Sequence, residues 1–142
     1  MKAVFLDWAT MGPGLDISRM RRLLPELEIH DVTEPGQVAE RIRDASYVLT
    51  NKVRLTDELL ASCPRLRFIG LTATGTANID LLAAERHGVA VCNIRAYCSQ
   101  SVAEHVFGLL LMLRRRLADY RHAVADGRWQ TSSQFCLLDY PI

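Results

Sequence analysis

Ser46 to Cys92 reads SYVLTNKVRLTDELLASCPRLRFIGLTATGTANIDLLAAERHGVAVC. Three short apolar runs stand out, at 46–49, 67–71 and 89–92. Each is continuous rather than alternating, which is the pattern of a strand covered on both faces. Helical segments separate them. Thr56 to Ala61 offers Leu59 and Leu60 as an apolar face, with Thr56 placed to cap. Ile79 to His87 is closed by Gly88, where a left-handed residue ends a helix. Strand, helix, strand, helix, strand in 47 residues predicts parallel strands joined by helical crossovers.

The N-terminal half extends the pattern. Ala3 to Leu6 is a buried-strand run ending at Asp7, and Trp8 to Gly14 is a loop around Gly12-Pro13-Gly14. Leu15 to Leu24 places Ile17, Met20, Leu23 and Leu24 at helical spacing, and Pro25 stops it. Leu27 to Val32 suits an outer strand. Glu34 to Asp44 reads as a helix with Pro35 in its first turn and Val38, Ala39 and Ile42 facing inward. Strands and helices thus alternate throughout, predicting an α/β fold: an open parallel sheet of flavodoxin type with helices on both faces.

Beyond Cys92 the character changes. Asn93 to Leu117 reads NIRAYCSQSVAEHVFGLLLMLRRRL. Ser101 and Glu104 have capping-box spacing for a helix running to about Tyr120. Val106 to Leu113 is apolar on every side apart from Gly108, so this helix is expected to be buried. It is shorter than the roughly 20 residues that span a membrane. Arg114, Arg115 and Arg116 suit the negative end of the helix dipole. Ala123 to Ile142 is a weakly helical tail, and the segment from Tyr120 onward is aromatic, with Trp129, Phe135 and Tyr140.

The totals exclude several roles. The net charge of +1 gives no electrostatic reason for nucleic acid or an anionic membrane as partner. Cys63, Cys92, Cys98 and Cys136 form no CxxC pair and have no zinc-ligand spacing with histidine, so no metal is expected. They read as structural thiols of a reducing compartment. With no signal-peptide pattern after MKAVFLD, the expected location is the cytoplasm. There is no G-x-S-x-G, no G-x-x-x-x-G-K and no G-x-G-x-x-G. His105 reads as a core histidine, and His30, His87 and His122 as surface residues. Asp7 and Asp80 stand where carboxylates cap backbone amides.

Ligands of open parallel sheets bind outside the carboxyl ends of the strands. Three small polar loops fall there: Thr50-Asn51-Lys52, Thr72 to Asn78, and Asn93 to Ser99. Gly75 permits close backbone approach to an anion, and Asn78 precedes a helix start. A carboxylate or phosphate suits these loops better than a cation does. The same loops also occur as ordinary turns of an α/β domain.

The segment from Leu49 to Arg116 resembles the N-terminal part of the D-isomer-specific 2-hydroxyacid dehydrogenases, in the glycerate dehydrogenase (hydroxypyruvate reductase) branch. The resemblance rests on Thr50-Asn51-Lys52-Val53, on Thr74-Gly75 followed by Asn78-Ile79-Asp80, on His87-Gly88-Val89, and on Tyr97-Cys98-Ser99-Gln100-Ser101-Val102-Ala103-Glu104-His105. It implies a flavodoxin-like substrate domain over 1–98, an inter-domain and dimerisation helix over 99–120, and an arm over 121–142 that begins a cofactor domain. It implies substrate binding by Asn51, Lys52, Val53, Thr74, Gly75 and Ser99, and places Val102 beside the nicotinamide of NAD or NADP. It implies a homodimer through Val106, Leu109, Leu110, Leu113 and the arm. Ala77 stands where many members carry a polar residue. The family's dinucleotide loop, substrate arginine and glutamate–histidine pair have no counterpart here, so no catalytic residue is assigned and the chain alone is expected to be inactive. Two readings remain: the N-terminal part of an oxidoreductase acting on a small 2-hydroxy or 2-oxo acid, or a stand-alone carboxylate-binding or dimerisation module.

Overall fold

A computed structural model of the chain describes residues 1–133. They divide between two compact units, Met1–Arg95 and the portion that starts at Ala96.

The first unit is a five-stranded, all-parallel sheet. Its strands are β1 (Ala3–Phe5), β2 (Leu27–Ile29), β3 (Tyr47–Thr50), β4 (Phe68–Leu71) and β5 (Ala90–Cys92), ordered β2-β1-β3-β4-β5. This is the flavodoxin order. Val4 pairs with Val48, and Val48 with Ile69, along a fully buried row. Alternate residues serve opposite faces. Val4, Leu6, Val48 and Ile69 pack against α2 (Val38–Ile42), α3 (Asp57–Ala61) and α4 (Leu81–Arg86), through Val38, Ile42, Leu60, Ala83 and Ala84. Ala3 and Phe5 face the other way, towards Met20 and Leu24 around α1 (Ser18–Leu23). There the Phe5 and Trp8 rings meet edge to face at 5.3 Å. Helices therefore lie on both faces, but the second face is covered only over β1, β2 and part of β3, and the edge strand β5, expected as a buried strand, is exposed.

Several element boundaries differ from the sequence expectation. α1 begins at Ser18, because the Asp16 carboxylate takes both the amide and the hydroxyl of Ser18. Leu23 is exposed rather than inward. The segment expected as one helix from Glu34 opens with a 3-10 turn at Pro35–Gln37, where Glu34 and Gln37 form a reciprocal capping box. Val38 and Ile42 are buried, whereas Ala39 faces solvent. Thr56 precedes α3 but makes no side-chain cap bond. At α4 the expected caps are both present. Asp80 accepts the Ala83 amide at 2.9 Å, and Gly88, at φ 68°, sits just past the end. Asp80→Ala is expected to cost about 1 kcal/mol of stability, read by urea unfolding. A loss near zero would show that the bond is replaced by water without penalty.

Asp57 clamps α3 to α4. Its carboxylate meets His87 Nε2 at 2.8 Å and Arg86 at 2.9 Å. The His87 hydrogen bond, reinforced by Arg86, holds the Asp57 carboxyl below its usual range.

The second unit holds α5 (Ser99–Arg114), α6 (Leu117–Ala125) and α7 (Arg128–Thr131). The expected capping box is absent: α5 starts two residues earlier, at Ser99, and no side chain caps it. Ser101 therefore lies inside the first turn, and Glu104 instead accepts from Gln100 at 2.7 Å. The single helix expected to reach Tyr120 breaks at Arg116, whose φ of 51° is left-handed. No residue of α5 is buried. His105, expected in a core, is exposed too. Of the cysteines, Cys63 is buried, while Cys92 is exposed and Cys98 half-buried. His30 is largely buried, its Nε2 2.9 Å from Glu28 but not aligned for a hydrogen bond. Phe135, Cys136, Tyr140 and the end of the expected arm lie outside the described residues. Among the described residues no helix is long and apolar enough to cross a membrane.

Candidate functional site

The carboxyl ends of β1, β3, β4 and β5 present four loops. What joins them is a set of polar contacts that sequence spacing does not reveal.

The first centre is Asp7, two residues past the end of β1 and 5 % exposed. Its carboxylate crosses to the loop after β3. It accepts the Asn51 amide at 2.9 and 3.0 Å, the Lys52 amide at 2.6 Å, and the Thr50 hydroxyl at 3.2 Å. Thr50 Oγ1 in turn accepts the Val53 amide at 3.1 Å. Asp7 caps backbone amides as expected, and those it caps belong to the loop after β3. The amides of Asn51, Lys52 and Val53 are thus committed within the protein.

The second centre is Asn78. Its side-chain amide donates to the Val53 carbonyl at 3.0 Å and reaches the Asn51 carbonyl at 3.5 Å. Its own carbonyl accepts the Leu55 amide. A third tie joins the last two loops. Asn93 Nδ2 donates to the Thr74 carbonyl at 2.7 Å, and the Ile94 amide to the Ala73 carbonyl at 3.0 Å. Loops 50–53, 72–78 and 93–94 therefore form one connected rim.

Gly75 stands on that rim. A Cβ added there would meet nothing within 4 Å, and its φ is not left-handed. Neither crowding nor backbone conformation requires glycine at this position. Among the described residues, the amides of Ala73, Thr74 and Gly75 donate to no protein acceptor. The amides of Thr76, Ala77 and Asn78 likewise donate to no protein acceptor, so the whole stretch 73–78 offers free donors, and successive free amides suit an anion.

Asn51, Lys52, Val53, Thr74 and Gly75 are thus brought together by Asn78 and its neighbouring contacts. Ser99 and Val102 belong to the second unit, on the first turn of α5, and both are exposed. Sequence reasoning missed Asp7 and Asn93 as organisers. A carboxylate at the end of the first strand and an asparagine at the end of the fifth were the available signals, but nothing in the spacing says which loop either reaches.

Fold order and rim together define a flavodoxin-like domain with a polar rim at the carboxyl ends of its strands. Residues 14–134 match the family described as D-isomer specific 2-hydroxyacid dehydrogenase, catalytic domain. The chain belongs to that family. It is 40% identical over 141 residues to the glycerate dehydrogenase of Methylorubrum extorquens, covering 99% of this chain and 44% of that protein. It is 34% identical over 146 residues to the hydroxypyruvate reductase of Blautia hydrogenotrophica, covering 100% of this chain and 45% of that protein. Among solved structures, D-lactate dehydrogenase from Aquifex aeolicus, complexed with NAD and lactic acid, superposes with a TM-score of 0.70 at 26% identity, over 99% of this chain and 41% of that one. The chain therefore spans a little under half the length of these relatives.

The sequence contains no glycine-rich turn of the kind that cradles a pyrophosphate. Val102 alone can supply only an apolar contact.

Proposed function

We propose that this chain supplies the substrate-binding part of an NAD- or NADP-dependent D-2-hydroxyacid dehydrogenase of the cytoplasm, acting on a small acid of the glycerate/hydroxypyruvate kind. The glycerate and hydroxypyruvate named for its relatives support the substrate class. In this reading, residues 1–98 act as the substrate domain and 99–120 lead towards the cofactor. The substrate carboxylate is held at Thr74 and Gly75 by main-chain amides. Asn51, Lys52 and Val53 shape the facing wall, and Ser99 and Val102 face substrate and nicotinamide in the complete enzyme. Two copies associate through α5 and the arm.

The observation that carries the reading is Gly75: a glycine that the fold does not need, beside amides that the protein does not use. Loop 50–53 contributes by shape and by the Lys52 side chain rather than by its amides, because Asp7 and Thr50 occupy those.

Amide resonances of 73–76 should move when hydroxypyruvate is added to the 15N-labelled chain. Gly75→Ala should leave stability within about 1 kcal/mol of the parent, because the site has room for a methyl. It should weaken hydroxypyruvate binding about tenfold or more, because the methyl stands where the acid approaches. Unmoved 73–76 resonances, or an alanine variant that binds as the parent does, would sink the assignment.

A further inference from the structure

A cavity of about 740 Å3 opens beside the rim, at the carboxyl ends of β1, β2 and β3. It lies wholly within the first unit, and no residue of loop 72–78 lines it. Its place is the switch point of the sheet, where the crossover from β1 leads outward to β2 and the next returns to β3. The size is that of a small-molecule pocket.

The lining has a definite chemistry. Val38 is buried at its base, Val53 and Leu59 are half-buried walls, and Pro35 and Val32 stand at the mouth. Val32 is 60% exposed, an unusual position for an aliphatic side chain pointing at an apolar recess. Two cations, Lys52 and Arg54, also line the cavity, and among the described residues neither forms an ion pair. Two acids are present as well. Asp7 is 5 % exposed, and its carboxylate is turned to two amides and a hydroxyl of the protein. Asp31 is exposed to solvent. Lys52 and Arg54 are exposed as well, so the exposed charged side chains of the lining are two cations and one acid, a net positive set beside an apolar surface left open.

We infer that this cavity binds an amphipathic monocarboxylate, an acid with an aliphatic or aromatic body, at a site separate from the Thr74–Gly75 loop. The body covers Val32, Pro35 and Leu59, and the carboxylate meets Arg54 and Lys52. The cavity shares Lys52 and Val53 with the wall of the proposed substrate site but contains no residue of loop 72–78, so its ligand is read out apart from that loop.

Phenylacetate is a suitable probe, with phenethylamine as its charge-reversed counterpart. Titrated into the 15N-labelled 142-residue chain, phenylacetate should shift the amides of Val32, Thr33, Val53 and Arg54 and leave 73–76 in place. Arg54→Glu should weaken it about tenfold or more, the scale of one charge-assisted bond. Val32→Asp, at an exposed position that folding does not use, should weaken it as well. The inference is overturned if phenylacetate moves 73–76 instead, if phenethylamine binds as tightly, if no resonance moves, or if both variants bind as the parent does. A parallel titration with hydroxypyruvate keeps the two ideas apart. Phenylacetate in the cavity with hydroxypyruvate silent at 73–76 would remove the proposed function and leave this site standing.

Discussion

Asp7→Ala is expected to destabilise the chain by about 3 kcal/mol. The substitution deletes one acceptor group that serves the amides of Asn51 and Lys52 and the hydroxyl of Thr50. Three donors are then left beside a fully buried strand end, and Thr50 itself is 0% exposed. Each donor deprived of its partner in such a place costs about 1–3 kcal/mol, discounted here because the two amides are only partly buried and water can reach them. The corresponding fall in Tm is about 10 °C. Asp7→Asn should not rescue, since its NH2 group would face one of the same N–H donors. Thr50→Val, which removes a single hydroxyl, should cost less than Asp7→Ala. Chemical denaturation of the three variants checks the ranking. An Asp7→Ala loss below about 1 kcal/mol would show that water replaces the carboxylate freely, and the account of loop 50–53 would fall.

The second large effect concerns association. Val106, Leu109, Leu110 and Leu113 are between 43% and 74% exposed, and Phe107, Leu111 and Met112 lie open on the other sides of α5. Contiguous apolar surface of that extent needs a cover, and the proposed dimer supplies one from a second copy. In a two-fold dimer each substitution counts twice. Burying a leucine side chain is worth about 1.5–3 kcal/mol, so Leu110→Glu with Leu113→Glu removes about 6 kcal/mol or more from a symmetric pair. Association should weaken by more than about 10⁴-fold. Glutamate is nearly as good a helix former as leucine, so the helical circular dichroism should be retained. Sedimentation equilibrium would show a parent dimer and a variant monomer. A parent that stays monomeric at high concentration, or a variant of unchanged mass, would refute dimerisation through this helix.

Sequence and structure divide the protein along a physical line. Short-range chemistry was legible. Apolar runs at 3–6, 46–49, 67–71 and 89–92 became parallel strands, fully buried at β1, buried on one face at β3 and β4, and exposed at the edge strand β5. Gly88 ended α4 because only a residue tolerant of positive φ closes a helix that way, and Asp80 capped it from the expected position. The loops expected to face a ligand lie at the strand ends where the parallel order places them. At α5 the same local reasoning failed. Ser101 and Glu104 have capping-box spacing, yet the helix starts at Ser99. Likewise the left-handed Arg116 splits an apparently continuous helix that composition alone would have extended.

What only the tertiary structure decided is which donors of the rim remain free. Asp7 and Asn51 are 44 residues apart, and no periodicity signals that one strand end satisfies the amides of another crossover. That contact comes from the β1–β3 pairing, which sets Phe5 beside Leu49 and so delivers Asp7 to the next loop. The sequence by itself determined the α/β architecture and the family. The register of neighbouring strands decided that loop 50–53 is held shut by Asp7 and that the open amides lie around Gly75. Hydrogen-bond partners across a sheet are chosen by spatial adjacency, which residue order alone does not encode.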